Sequence, residues 1–226
     1  FAPPDGDRAK LYYEWNFGDP NSGTWATDGK SRNTAIGYVA AHVFETPGAY
    51  NVTLSVTEPS GAVHNYSQVI VVTDPVNVYS GANTLCISNS TDFTGCPSAV
   101  QQSNKIQSSD FAAQLTWLFS QNGPRRILLK RGDSFSGTNT VSRSNKIGPF
   151  EIGAFGTGAK PIINGNPILV LSPSTSDVRI VGLDLRGTVS NYGIIPGTDT
   201  LIYKNDISNF QNAISSSHLN HEKGFI

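Results

Sequence analysis

Apolar and polar residues alternate with period two over Ala49–Thr57. Tyr50, Val52, Leu54 and Val56 face one way, and Asn51, Thr53 and Ser55 face the other. That is the pattern of a half-buried strand, entered from the turn Thr46-Pro47-Gly48 and left through Pro59-Ser60-Gly61. Leu11–Phe17, closed by Gly18-Asp19-Pro20, and Tyr66–Val72 read as its companions, so residues 1–73 predict a sandwich of short antiparallel strands. The second half has another rhythm. Short β-rich runs (Ile127–Lys130, Phe150–Gly153, Pro161–Ile163) sit between Gly-rich bends, with no helix available for a crossover. Parallel strands joined by bends alone describe a solenoid, a shape that presents a long flank to an extended polymer. Val178–Leu185 repeats as Thr200–Ile207, which sets Ile180 on Ile202, 22 positions on. Asn191–Ile194 repeats as Gln211–Ile214, which sets Ile194 on Ile214, 20 positions on. A repeat of that length suits one turn of a three-sided β-helix. It also suits leucine-rich repeats, whose LxxLxLxxN pattern is absent.

Thr73-Asp74-Pro75 predicts a linker, because proline holds Asp74 extended and no apolar period crosses the junction. Residues 76–107 read as a polar loop region. Ser109 then looks like an N-cap for a helix with Phe111, Leu115 and Leu118 on one face and Gly123 as its stop. The open end of a solenoid exposes unpaired backbone and apolar core, and one amphipathic helix before the first turn would supply its lid.

Composition narrows the classes. The net charge is −1 and 15% of residues are charged, which disfavours a nucleic-acid partner, since phosphate neutralisation needs a basic surface. No run of 18 apolar residues occurs, so no membrane span is expected. The chain opens at Phe1 and contains no Met, which suggests a processed or trimmed product. Cys86 and Cys96, ten residues apart in a polar stretch, suit a disulfide in an exported protein. Two free thiols or half of a metal site are the alternatives.

The segments YYEWNFGDP, HVFETPGAYNVTLSVTEPSG and SQVIVV together resemble the polycystic-kidney-disease (PKD) domain. The resemblance implies an immunoglobulin-like β-sandwich, common in secreted and surface proteins, that serves as a spacer or accessory binder. Asn16 and Pro20 depart from the Asp and Gly of the family's WDFGDG pattern. GDSFSG, GAFGTGAKPIING and the repeats resemble the right-handed parallel β-helix superfamily of pectate lyases and of chondroitinase-like and alginate-lyase-like enzymes. The expected architecture is therefore all-β: a PKD-like sandwich at 1–74, then the helix-capped N-terminal coils of a right-handed parallel β-helix at 75–226.

The registration assigns the candidate chemistry. Ile180, Leu183 and Leu185 point inward with Gly182 at the bend, and Ile202, Asn205 and Ile207 follow one coil later. Asn205 then sits inside a bend, where its amide can bond the backbone of adjacent coils as a structural ladder. Asp184 and Asp206 point outward on neighbouring strands about 4.8 Å apart, close enough to need a cation or a basic group between them. They are the candidate metal pair, with Ca²⁺ the cofactor they suit, or else form salt bridges with Arg186, Lys204 or Arg179. The resemblance implies that a Lys or Arg base removes a proton alpha to a uronate carboxylate. Lys204 and Arg186 are candidates for catalysis, as are His218 and His221, which form a dense titratable cluster with Glu222. A polar bend opening another coil is the plainer reading of that cluster. Lys130 and Arg131 read as solvated, and His42 as a packing residue within a strand. The sequons at Asn51, Asn65 and Asn89 matter only under eukaryotic secretion.

The leading expectation is a secreted polysaccharide lyase or glycoside hydrolase with a PKD-like accessory module, acting on an acidic polysaccharide or cell-surface glycan. The alternative is a non-catalytic extracellular surface, adhesive or self-assembling protein. The chain stops at Ile226 as another coil begins, so further coils or self-association are expected to cover the open β-helix end.

Overall fold

The computed structural model describes residues 10–137, 141–142, 145–165, 169–188 and 192–215. The chain divides into two compact units, 1–75 and 76–226, and is all-β with few helices.

In the first unit, β1 (Tyr12–Asn16), β2 (Thr34–Ile36), β3 (Gly48–Thr57) and β4 (Val63–Val72) form one antiparallel sheet in the order β2-β1-β3-β4. Among the described residues this is the unit's single sheet, where a sandwich would show two. The long segment between β1 and β3 is rich in Gly, Asn, Asp and Ser and makes turns, with only three residues in strand. His42 is not in a strand but in this irregular segment. Its ring stacks on Phe17 at 4.5 Å, Phe44 meets it edge-on at 4.7 Å, and Tyr50 closes the series 4.3 Å from Phe44. Asp19 accepts from or pairs with His42 Nε2 at 2.9 Å, both side chains buried. Asn16, although it replaces the Asp of the family pattern, holds the turn, its Oδ1 accepting from the Gly18 amide at 2.8 Å. Gly18 has φ +67, and a Cβ there would lie 2.7 Å from the Asn51 carbonyl oxygen, so only glycine fits.

The second unit consists of parallel sheets. Its strands are β5 (Thr84–Ser88), β6 (Lys105–Gln107), β7 (Arg125–Lys130), β8 (Ser134–Ser136), β9 (Val141–Ser142), β10 (Ile147–Phe155), β11 (Ile162–Asn164), β12 (Leu169–Leu171), β13 (Ser176–Val181), β14 (Asp184–Arg186), β15 (Tyr192–Ile195), β16 (Thr198–Tyr203), β17 (Asp206–Ser208) and β18 (Asn212–Ile214). They pair in three sheets, ordered β16-β13-β10-β7-β5-β6, β17-β14-β11-β8 and β18-β15-β12-β9. From β7 onward the chain visits the first, second and third sheet in turn, four times over, and each strand pairs with the one three further along. The expected registers hold: Ile180 lies beside Ile202, Leu185 beside Ile207 and Ile194 beside Ile214.

Like residues therefore stack in columns. Leu85, Ile127, Ile152 and Ile180 form one, and Phe135, Ile163 and Leu185 another, all buried in a single core. The helix Phe111–Leu118 joins that core through Phe111, Leu115 and Leu118. Its N-cap is Asp110 rather than Ser109: the Asp110 carboxylate accepts from the Ala113 amide at 3.1 Å, because the charged acceptor also meets the positive helix terminus. The helix stops at Leu118, short of Gly123.

The expectation of a polar loop over 76–107 is corrected. Thr84–Ser88 is a fully buried strand and, with β6, extends the first sheet beyond β7. Leu85 and Ile87 face the main core. Cys86 faces outward into a second cluster with Val100, Leu128 and Phe155, partly covered by Phe93 and Cys96.

Candidate functional site

Cys86 and Cys96 form the disulfide, with Cα atoms 6.1 Å apart. The loop it closes lies over the outward face of β5, β7 and β10 and buries the second cluster. Lys130 fastens the loop, and its reading as solvated is overturned. Its ammonium pairs with Asp92 at 2.9 Å and donates to the Thr94 carbonyl at 2.8 Å, leaving the side chain 12% exposed. The Thr94 amide, and then Lys130, hold the Asp92 carboxyl down at about 2.

Beside this loop lies a cluster that sequence reasoning missed. Arg126, Glu151 and Arg179 are lateral neighbours on three successive strands of the first sheet. Arg126 Nε donates to Thr84 Oγ1 at 2.9 Å, and its guanidinium lies 5.3 Å from the Tyr79 ring centroid. Burial pushes the Glu151 carboxyl up, opposed by the two flanking guanidinium groups. Burial also takes the Tyr79 hydroxyl up to about 12. Tyr79 is 4% exposed, while the Arg179 side chain stays 39% exposed at the edge of the cluster. The one available signal was the Arg–Glu–Arg sequence of charges, and it means nothing until the strand register is known.

The outward flank that stays open runs along the second sheet and the bend leading into it. Asp184 and Asp206 are lateral neighbours, as expected. Arg186 reaches Asp184 Oδ2 through Nη2 at 2.6 Å and Nε at 3.1 Å, and this contact holds its guanidinium above the usual arginine range. The partner of Asp206 is Lys160, at 2.7 Å, rather than Lys204, Arg179 or Arg186. Arg179 pairs with Asp177. Lys160 comes from 46 residues away and is brought close by the coiling of the chain. Each carboxylate of the candidate metal pair thus has a cationic partner. Among the described residues no group of three or more His, Cys, Asp or Glu is placed to hold a metal ion.

Lys204 stands exposed at the bend between β16 and β17, its ammonium 5.3 Å from the Tyr203 ring centroid. Asn205 takes the ladder role: its Nδ2 donates to the Ile180 carbonyl at 2.7 Å, and its Oδ1 accepts from the Leu183 amide at 2.9 Å. One side chain thereby satisfies backbone groups of the preceding coil that the bend would leave open. His218, His221 and Glu222 lie outside the described residues.

No helix of the described residues is long and apolar enough to cross a membrane. No curated protein and no solved structure matches the chain. Residues 2–73 match the family model described as PKD domain, so the resemblance of the first unit to that domain is supported over nearly its whole length.

Proposed function

We propose that this is an extracellular, polysaccharide-interacting protein, its PKD-like unit an accessory module and its second unit the N-terminal part of a right-handed parallel β-helix. Three parallel sheets visited in rotation, with apolar columns inside, support the β-helix reading. The disulfide supports an oxidising compartment.

One observation carries the polysaccharide reading. The open flank bears Asp184, Asp206, Arg186, Lys160 and Lys204 beside the aromatic ring of Tyr203, not a uniform run of Ser, Thr and Asn. Carboxylates and bases hydrogen-bond sugar hydroxyls or carboxylates, and an aromatic face takes the apolar side of a sugar ring. On this reading the reaction class is polysaccharide lyase or glycoside hydrolase.

The same geometry favours a second reading, a non-catalytic adhesive or structural flank. Asp184 and Asp206 are each committed to an ion pair, and a carboxylate so held serves as neither acid nor base until its partner moves.

Incubation with acidic polysaccharides, followed by ultraviolet absorbance for unsaturated products with and without chelator and by reducing-end release, separates the readings. Product formation supports the enzyme, and retention on the polymer without product supports the adhesive flank. Neither retention nor product overturns both.

A further inference from the structure

A left-handed residue closes the first-sheet strand of each of the four successive coils. It is Gly132 at φ +86, Gly156 at +80, Gly182 at +73, and then Lys204 at +55. Gly182 and Lys204 are in register, with the Gly182 amide donating to the Tyr203 carbonyl at 3.1 Å. Among the described residues the other non-glycine positions with positive φ are Asp177, Asp199 and Asn209, types whose short polar side chains tolerate that region. Lysine is not one of those short polar types. A long side chain held there where glycine serves the preceding coils is a local cost, and such costs collect where a side chain is needed for binding or chemistry.

What surrounds Lys204 supplies the chemistry. Arg131 reaches over from the first coil, and one guanidinium nitrogen lies 3.5 Å from where a Cβ on Gly182 would be, one rung below Lys204. Lys160 reaches up to Asp206, two residues beyond Lys204. The carboxylate of Asp133, near Arg131 in sequence, is turned instead to Ser88 Oγ and the Asn89 amide. The fold therefore brings Arg131 from a distant part of the chain to the rung below Lys204, beside the ring of Tyr203, with the Lys160–Asp206 ion pair two residues further on.

The geometry points to this bend as a recognition point for an anionic group, carboxylate or sulfate, on a glycan chain, with Lys204 and Arg131 as the cations that engage it. The assignment rests on the polysaccharide reading above and adds to it a site and a charge preference.

The test uses the full chain and immobilised polygalacturonate, dextran sulfate and neutral dextran, with unfolding followed in parallel. The expected result is retention on a charged polymer but not on neutral dextran. Lys204→Gly should weaken that retention about tenfold, the worth of one charge-assisted contact, without lowering the unfolding midpoint, since glycine relieves the backbone. Lys204→Arg should keep the affinity, and Arg131→Ala should lower it. Retention on polygalacturonate alone assigns the group as carboxylate, and retention on dextran sulfate alone assigns it as sulfate. If the wild type is retained on a charged polymer and Lys204→Gly is retained equally, the site assignment is overturned while the polysaccharide reading stands. If the wild type is retained on no polysaccharide, that reading falls and the site falls with it.

Discussion

The two units solve the burial of a β-sheet in different ways. In the first, β3 and β4 pair along their whole length as a hairpin. The sheet still leaves Val69 53% and Val71 73% exposed, and its buried residues are few, among them Val56 and Tyr50 of β3 and Phe17 of the aromatic series around His42. In the second, strands of two to nine residues pair with strands distant in sequence, yet Ile127, Ile152, Ile163 and Ile180 are at most 1% exposed. Length of pairing does not decide burial. A column of like side chains, each resting on the one below, excludes water more completely than a longer sheet with one partly covered face. The energetic weight of the molecule should therefore lie in the columns.

Substitutions test that difference. Ile152→Ala removes the middle of a column between Ile127 and Ile180, and should cost about 3–4 kcal/mol. Leu54→Ala, at a half-buried position of β3, should cost well under half as much. Denaturant midpoints of the two variants measure this, and equal losses would break the comparison. The disulfide comes next. Replacing Cys86 and Cys96 with alanine should destabilise the second unit by about 2–3 kcal/mol, from the loop entropy returned to the unfolded chain. The outward cluster under the loop loosens with it. Near-ultraviolet circular dichroism should show the first unit's aromatic signals unchanged while the second unit unfolds earlier.

Asn205→Ala deletes both bonds of the ladder and leaves the Ile180 carbonyl and Leu183 amide without that partner, at a cost of about 1–2 kcal/mol. Asn205→Asp keeps the acceptor for Leu183 but loses the donor to Ile180, and should fall between wild type and alanine by thermal unfolding. The smallest effect belongs to Glu151. Its folded-state pKa is raised, so the folded protein holds the proton longer than the unfolded chain does. The resulting penalty is absent below the unfolded value of about 4.3, builds as pH rises from there to the folded value, and is constant above it. Glu151→Gln should therefore match wild type in acid and become the slightly more stable protein at neutral pH. A stability–pH profile showing wild type more stable than the variant above pH 6 would reverse that assignment.

How far the fold was legible depended on how far apart the interacting residues lie. The strand Gly48–Thr57 and its turns were plain, because period-two alternation and Pro/Gly turns are local signals. The final repeats were plain as well, because 22 residues separate Ile180 from Ile202 with no insertion between, so one stretch of sequence pairs visibly with the next. The earlier coils are spaced unevenly. In the first column 25 residues separate Ile127 from Ile152 and 28 separate Ile152 from Ile180, since the bends take insertions that leave the columns intact. No fixed offset reveals such turns. The strand Thr84–Ser88 was missed for a related reason: five residues between polar flanks carry too little pattern to outweigh their neighbours.

The candidate site divides along the same line. From its residue types and spacing alone, the chain determined the outward pairing of Asp184 with Asp206, the amide ladder at Asn205 and the column of isoleucines, because residues one regular coil apart must stack. Only the tertiary structure decided that Lys160 holds Asp206, that Lys130 clasps the disulfide loop, that Glu151 lies between two arginines, and that Arg131 arrives beneath Lys204. Those meetings depend on side chains that reach across one or more coils, or on bends whose insertions shift the register. A linear chain carries the identities of such groups but not the distances between them.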